Sequence, residues 1–335
     1  MLMDLRTESC TFLDALQKKI VERLEGLDPK RATFEKHSIS ASENIVNTSY
    51  VLQRTDSNHL INDPKFAPLE KAILTMTRVK NRMPPNMPAD FLKGQGARNP
   101  DVATPAGGAY FFAVNLTVFV HPRSPHAPTG HGTWRYIEIL DSNENPIDWW
   151  FGGASNLTPT MLYEEDCEHF HKALEAGISK NGATTTSTTR IARQEQCGVG
   201  GIFFDGLSDK PHKKLDIHGD ATKRPKSAQE CLAFFKSTGE SFLSAYMPIL
   251  ERRAMLSWTQ EERNWQLLRR GRFVEFCLLV DEGVKFGIQT GSGSLDAILL
   301  ILPEIAQWEY NTGKPSVGER EARLLEILKQ PKDWV

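Results

Sequence analysis

Along part of this chain, apolar and polar side chains alternate with the period of two that is typical of β-strands. Between residues 110 and 120, apolar side chains occupy every second position, and Asn115 and Thr117 lie on the opposite side. The pattern predicts a strand with one apolar and one partly polar face. A second strand is predicted over residues 131–140, and a short buried strand over residues 200–205.

The second of these strands carries polar side chains that the same period brings together. His131, Thr133 and Arg135 are predicted to share one face. An imidazole beside a guanidinium is suited to proton transfer or to binding an acid. We therefore expect this face to line a polar pocket.

Other segments have the spacing of helices. Apolar residues four apart predict an amphipathic helix over residues 11–25, and helical spacing also marks residues 161–176, 227–255 and 321–329. A further helix is predicted over residues 259–270. Thr259 and Glu262 form a capping box at its start, and Gly271 is expected to end it.

Two regions have less regular patterns. Residues 26–108 are polar and interrupted by proline, so we expect loops and short elements there. Residues 273–289 are predicted to form two strands around a turn at Asp281, Glu282 and Gly283, followed by a helix near Ser294. Helices clustered around hairpin-like strands predict an α+β fold on a mainly antiparallel sheet, and no linker separates domains.

Composition and charge exclude several classes of protein. The chain has 335 residues with 40% hydrophobic content, enough for a packed core, and its net charge of -2 argues against a nucleic-acid partner. No stretch approaches the roughly 20 apolar residues of a membrane helix, and no signal peptide is recognisable. We expect a cytoplasmic protein with no membrane association. Its five cysteines are scattered, which favours reduced thiols.

Possible ligand-binding motifs are few. His169 and His171 invite a metal, but residues two apart on a helix point about 200° away from each other, so structural roles are favoured and we expect no metal site. Residues 198–201 contain three glycines but lack the spacing of a phosphate-binding loop. Residues 291–294, ahead of the predicted helix, could hold an anion on backbone N–H groups or simply cap the helix.

Longer blocks of sequence carry a family resemblance. The most specific are Trp-Trp-Phe-Gly-Gly at 149–153, Gly-Val-Gly-Gly-Ile-Phe-Phe-Asp at 198–205 and Trp-Gln-Leu-Leu-Arg-Arg-Gly-Arg at 265–272. With shorter blocks from residue 110 to residue 335, they resemble the oxygen-dependent coproporphyrinogen III oxidase family. Those enzymes oxidatively decarboxylate two propionates to vinyl groups.

This resemblance implies a fold and a chemistry. We expect a single coproporphyrinogen III oxidase-like domain over residues 1–335, with a divergent part at 1–108 and a strongly matching part at 109–335. The implied architecture is a flat, mainly antiparallel sheet sandwiched by helices, in a homodimer. The implied chemistry uses O₂ as co-substrate with a small-molecule substrate, and neither a metal nor an organic cofactor.

The resemblance also implies the site. His131 and Arg135 fall on the family's pocket histidine and arginine, and Asp281 falls on the aspartate of its Asp-Arg-Gly turn. Thr117 and Thr133 stand where the family has a serine and an asparagine. The candidate catalytic residues are His131, Asp281 and Glu282. The candidate substrate-binding residues are Thr117, Thr133, Arg135, Ser292, Gly293 and Ser294.

Two departures from the family pattern affect carboxylate binding. Glu282 replaces the arginine of the turn, and Ser294 replaces a second pocket arginine. An arginine about 4 Å from a propionate attracts it by about 4 kcal/mol, and a charged glutamate repels it by a similar amount. The first hypothesis is therefore a diverged oxidase with a non-porphyrin substrate. The alternatives are an authentic coproporphyrinogen III oxidase whose clamp has moved, for example to Arg193, and an inactive fold that acts as a binding partner.

Overall fold

The structure is a computed structural model that describes residues 4–27, 33–42, 44–53, 68–82, 110–178, 195–210, 224–281, 283–285, 288, 295–310 and 318–335. The strands are β1 (Glu35–Ser42), β2 (Ile45–Gln53), β3 (Leu69–Arg82), β4 (Tyr110–Pro122), β5 (Thr129–Leu140), β6 (Pro146–Thr158) and β7 (Gly201–Leu207). The helices are α1 (Leu5–Glu25), α2 (Glu164–Ile178), α3 (Ala228–Arg253), α4 (Gln260–Leu279), α5 (Leu295–Leu299) and α6 (Glu319–Lys329).

The strands form one sheet in the order of the sequence, from β1 to β7, and each is antiparallel to the next. Helices α1 and α3 pack on one face, and α2 packs against α3 and β7. Helix α4 covers part of the other face, where Phe273 and Cys277 meet Phe119 of β4 in an apolar cluster. The predicted α+β fold, an antiparallel sheet between helices, is confirmed.

The alternating pattern along β4 and β5 gives each strand one buried and one partly exposed face, as predicted. Val114, Leu116, Trp134 and Tyr136 are buried under α1 and α3, and the residues between them are partly exposed on the opposite face. The predicted helices over residues 11–25, 161–176, 227–255 and 321–329 are also confirmed, with ends shifted by a few residues. None of the described helices has the length and hydrophobicity needed to cross a membrane.

The expectation of loops and short elements over residues 26–108 is wrong where the structure describes them. Strands β1, β2 and β3 have 8, 9 and 14 residues. The first eight residues of β3 are buried on both faces of the sheet, so apolar and polar positions do not alternate there. In β2, the inward positions include the polar Asn47 and Ser49, which hide the period. Residues 83–109 lie outside the described residues.

The prediction that a helix ends at Gly271 and that strands follow is wrong over residues 271–279. The capping box of Thr259 and Glu262 is confirmed, but α4 continues to Leu279. Gly271 lies inside the helix, at a position where a Cβ would collide with the carbonyl oxygen of Gln307. Glycine here therefore permits the close approach of another segment and does not stop the helix.

Candidate active site

Five side chains on the face of the sheet opposite α1 form a polar surface on β4 and β5. In the pairing register, His131 lies opposite Phe119, Thr133 lies opposite Thr117, and Arg135 lies opposite Asn115. Residues that pair directly across antiparallel strands point to the same face. The predicted common face of His131, Thr133 and Arg135 is confirmed, and Thr117 joins it. We call the set the polar floor: Asn115, Thr117, His131, Thr133 and Arg135.

The imidazole of His131 lies between two aromatic rings. It stacks on Phe119, with ring centroids 5.2 Å apart, and meets Phe273 of α4 edge-on at 5.9 Å. Its Nδ1 atom is buried and has no hydrogen-bond partner among the described residues. Burial lowers the pKa of His131 to about 4, so the ring is neutral at neutral pH. A neutral imidazole can accept a proton or a hydrogen bond from a ligand.

Asn115 connects the two threonines of the polar floor. Thr133 Oγ1 donates to Asn115 Oδ1 at 2.8 Å, and Asn115 Nδ2 donates to Thr117 Oγ1 at 2.7 Å. The two hydroxyl oxygens are 3.5 Å apart. Because Thr117 accepts from the amide, its own hydroxyl hydrogen can point to Thr133 or to a ligand. The amide thereby fixes the direction of the Thr133 hydroxyl and leaves the Thr117 hydroxyl able to donate to a ligand.

Arg135 pairs with an aspartate two strands away. Its Nη2 atom lies 2.8 Å from Oδ1 of Asp205 on β7, and the two side chains are 24% and 19% exposed. Gly152 of β6 lies opposite Arg135 in the register. A Cβ at Gly152 would come within 2.7 Å of Arg135 Nε and of Asp205 Oδ1, so the missing side chain gives the pair its space. The charge of Arg135 is therefore balanced inside the protein.

Asp281 follows the end of α4. Its Oδ1 accepts a hydrogen bond from the backbone N–H of Val284 at 2.9 Å, which ties one carboxylate oxygen to the next turn. Val284 and Cys197 pack against the cluster that contains Phe273, the ring beside His131. Burial raises the pKa of the Cys197 thiol to about 12, and the charge of Asp281 adds to the increase. Asp281 thus lies at the rim of the cluster that holds His131.

Comparison with known proteins identifies the family. A family model described as coproporphyrinogen III oxidase matches residues 8–334. A protein from Francisella philomiragia named oxygen-dependent coproporphyrinogen-III oxidase is 32% identical over 339 residues, which cover 98% of each chain.

The chain belongs to the coproporphyrinogen III oxidase family. The mitochondrial oxygen-dependent coproporphyrinogen-III oxidase of Homo sapiens is 37% identical over 259 residues, which cover 75% of this chain and 53% of the human protein. A chloroplastic relative from Glycine max is 35% identical over 278 residues, 79% of this chain and 66% of that protein. The chain thus spans about half the length of the human relative and nearly all of the Francisella protein.

The structure does not reach every site residue that the resemblance to this family suggested. Glu282, Ser292, Gly293 and Ser294 lie outside the described residues, and so does Arg193. Their proposed roles stay predictions. The described part of the site brings together Thr117, His131, Thr133 and Arg135, while Asp281 lies near the same apolar cluster.

The two histidines of α2 have structural contacts in this family member. His171 Nδ1 lies 2.8 Å from the carbonyl oxygen of Cys167, and His169 Nε2 lies 3.1 Å from that of Ser244. Across the described ranges, no group of three or more His, Cys, Asp or Glu side chains has the arrangement of a metal site. The interpretation of His169 and His171 as structural agrees with these contacts.

Two residues of the site were missed by reasoning from the sequence. Asp205 is an acidic residue in a short, otherwise apolar strand, and this placement was the signal that could have identified it. Asn115 was placed on the polar face but not in the site. The family resemblance puts an asparagine at position 133, where this chain has Thr133. In the structure, Asn115 on the neighbouring strand supplies an amide bonded to that threonine.

Proposed function

We propose that the protein is an O₂-dependent oxidative decarboxylase that acts on a substrate of the coproporphyrinogen type. The supporting observation is the neutral, partly unsatisfied His131 beside the oriented hydroxyls of the polar floor. This site belongs to a chain that matches the family over residues 8–334. The relatives from Francisella philomiragia and Homo sapiens are both named for that oxidation.

The proposed reaction converts a propionate side chain to a vinyl group. The bond to the carboxyl carbon breaks and releases CO₂, while its electron pair forms the new double bond. A hydrogen leaves the carbon next to the pyrrole ring with two electrons, and O₂ takes up these electrons with one further proton to give H₂O₂. The substrate is the reductant and O₂ the oxidant, so the proposal includes no metal and no organic cofactor.

The polar floor supplies binding and a proton acceptor in this scheme. The neutral imidazole of His131 accepts a hydrogen bond or a proton from a pyrrole N–H group. The hydroxyls of Thr117 and Thr133, directed by Asn115, hold polar atoms of the ring system. Asp281 and Glu282 are proposed to act at the end of α4, and the homodimer implied by the resemblance is part of the proposal.

Turnover of coproporphyrinogen III tests the function. The full chain is incubated with this compound in air and under anaerobic conditions, and the products are separated by chromatography after oxidation to porphyrins. We expect monovinyl and divinyl products only in air, with one H₂O₂ for each CO₂. The His131→Phe variant serves as the control for adventitious oxidation. A lack of vinyl products at high enzyme concentration would reject the proposal.

A second candidate function is the oxidation of another electron-rich small molecule, heteroaromatic or carboxylated. Glu282 in the sequence favours it, because it stands where the family resemblance implies an arginine and would repel a substrate carboxylate. O₂ uptake with a panel of pyrroles and indoles tests this candidate, and ordinary turnover of coproporphyrinogen III would reject it.

A further inference from the structure

The polar floor carries one formal charge, and that charge is balanced. Arg135 is its only residue that is charged at neutral pH, because Asn115, Thr117 and Thr133 are uncharged and burial keeps His131 neutral. The Arg135 guanidinium lies 2.8 Å from the Asp205 carboxylate. The floor and Asp205 together therefore have no net charge.

The direction of the Arg135 side chain separates its charge from the rest of the floor. Neighbouring strands lie about 4.8 Å apart, so β5 and β7 are separated by about 10 Å. To reach Asp205, the guanidinium crosses β6 over Gly152, which has no Cβ to obstruct it. Asn115 and Thr117 lie on β4, on the other side of β5. The cation is thus drawn toward the β7 edge of the sheet and away from the hydroxyls.

We infer that Asp205 is a positioning and charge-balancing residue, and that the polar floor accepts an uncharged, hydrogen-bonding face of the ligand. The N–H groups of pyrrole rings have this chemistry, whereas the carboxylates of the same ligand would lie elsewhere. This inference rests on the proposed function for the identity of the ligand. It assigns a role to Asp205 and removes Arg135 from the set of carboxylate clamps.

The electrostatic cost of replacing Asp205 by a ligand carboxylate supports this assignment. A ligand carboxylate can gain Arg135 only by displacing Asp205 or by sharing its guanidinium, and sharing leaves two carboxylates close together. An anion beside the guanidinium would lie next to the Asp205 carboxylate, whereas an uncharged hydrogen-bonding group on the floor would leave the pair undisturbed.

Replacement of Asp205 by asparagine tests the charge balance directly. The probe is propionate labelled with ¹³C, and its binding to the full chain is measured by ligand-observed NMR. In Asp205→Asn, the freed guanidinium should bind propionate about tenfold or more tightly than in the wild type. Propionate binding does not depend on turnover, so the result is decisive whether or not coproporphyrinogen III is converted.

Asp141→Asn is a control for the loss of one negative charge. The Asp141 carboxylate follows β5 and accepts hydrogen bonds from the backbone N–H groups of Asn143 and Asn145, both at 2.8 Å. The substitution removes the same charge as Asp205→Asn without breaking an ion pair to an arginine. It should leave propionate binding unchanged. An equal gain in Asp141→Asn, or wild-type binding as tight as that of Asp205→Asn, would overturn the inference.

A double variant excludes an indirect structural effect. Asp205→Asn combined with Arg135→Gln has no guanidinium at the floor, so the gain in propionate affinity should disappear. Asp205→Glu keeps the charge and should bind propionate as weakly as the wild type. If the gain persists in the double variant, Arg135 is not its source and the inference fails. If Asp205→Asn does not fold, Asp205→Ser takes its place. A gain in propionate affinity in Asp205→Ser, with wild-type affinity in Asp205→Glu, would support the inference, and the absence of a gain would overturn it.

Discussion

His121 and His131 lie on neighbouring strands, share one face of the sheet, and differ in their hydrogen bonds. Both rings contact Phe119 and Phe273. His121 Nε2 lies 2.8 Å from the carbonyl oxygen of Ile301, and its Nδ1 lies 3.4 Å from Thr129 Oγ1. His131 Nδ1 is buried without a partner in the described structure. The described structure thus satisfies both nitrogens of His121 but not the Nδ1 atom of His131.

The polar groups around the two rings also differ in how they are paired. Next to His121, the buried carboxylate of Glu70 receives hydrogen bonds from Arg263 at 2.8 Å and from Arg270 at 3.1 and 3.0 Å. Burial alone would raise the Glu70 pKa, but the charges of the two arginines lower it to about 2. In the polar floor around His131, the buried atoms His131 Nδ1 and Arg135 Nε have no hydrogen-bond partner among the described residues. The paired Glu70 carboxylate thus marks the structural end of this face, where two arginines of α4 are bound to β3.

The largest expected effect comes from phenylalanine at His131. His131→Phe keeps the aromatic stack but removes both nitrogens, so turnover of coproporphyrinogen III should fall about 100-fold to 10,000-fold. Removal of a buried, unpartnered nitrogen should leave the free energy of unfolding equal or higher. Steady-state kinetics and urea unfolding measure the two quantities.

The same substitution at His121 is the matched comparison. His121→Phe loses the bond to the Ile301 carbonyl and should reduce the free energy of unfolding by about 1–3 kcal/mol. Its turnover, measured below the unfolding transition, should stay close to that of the wild type. Equal losses of turnover in both variants would remove the distinction between the two rings.

The second prediction concerns the structural end of the face. Glu70→Gln leaves two buried guanidiniums without their carboxylate, and we expect a loss of about 3–5 kcal/mol in the free energy of unfolding. Glu251→Gln is the control, because Glu251 pairs with Arg23 where both side chains are about half exposed. The control should change stability by less than about 1 kcal/mol. A small effect at Glu70 would show that this cluster does not hold α4 to β3 and β4.

The third prediction is a pH dependence of stability. Burial lowers the pKa of His131 to about 4 from an ordinary value of 6.5, so the unfolded chain binds a proton first as the pH falls. The neutral ring makes its full contribution to the free energy of unfolding above about pH 6.5, and this contribution decreases as the pH falls toward 4. Between pH 7.5 and pH 5, His131→Phe should lose about 2 kcal/mol less than the wild type in urea unfolding. Identical pH dependences would contradict the buried, neutral state.

How much of the molecule the sequence could predict depends on whether the signal is local. His131, Thr133 and Arg135 were placed together because a period of two is a local property of one strand. Asp205 was missed because its partner is two strands away, and only the sheet order brings them together. Strand β3 was missed because burial on both faces removes the alternation, and α4 was cut short because Gly271 serves packing.

The smallest expected effect tests the hydroxyls of the polar floor. Thr133→Val removes the donor to Asn115 Oδ1 and should reduce the free energy of unfolding by about 1 kcal/mol. Thr238→Val is the control, because Thr238 Oγ1 of α3 donates to the carbonyl oxygen of Phe235 at 2.8 Å on the opposite side of the sheet, and the loss of this bond should have a similar energy. Since the two variants are matched in stability, any difference in turnover reports on the site. We expect reduced turnover in Thr133→Val alone, and equal turnover in both would restrict the functional part of the floor to His131 and Thr117.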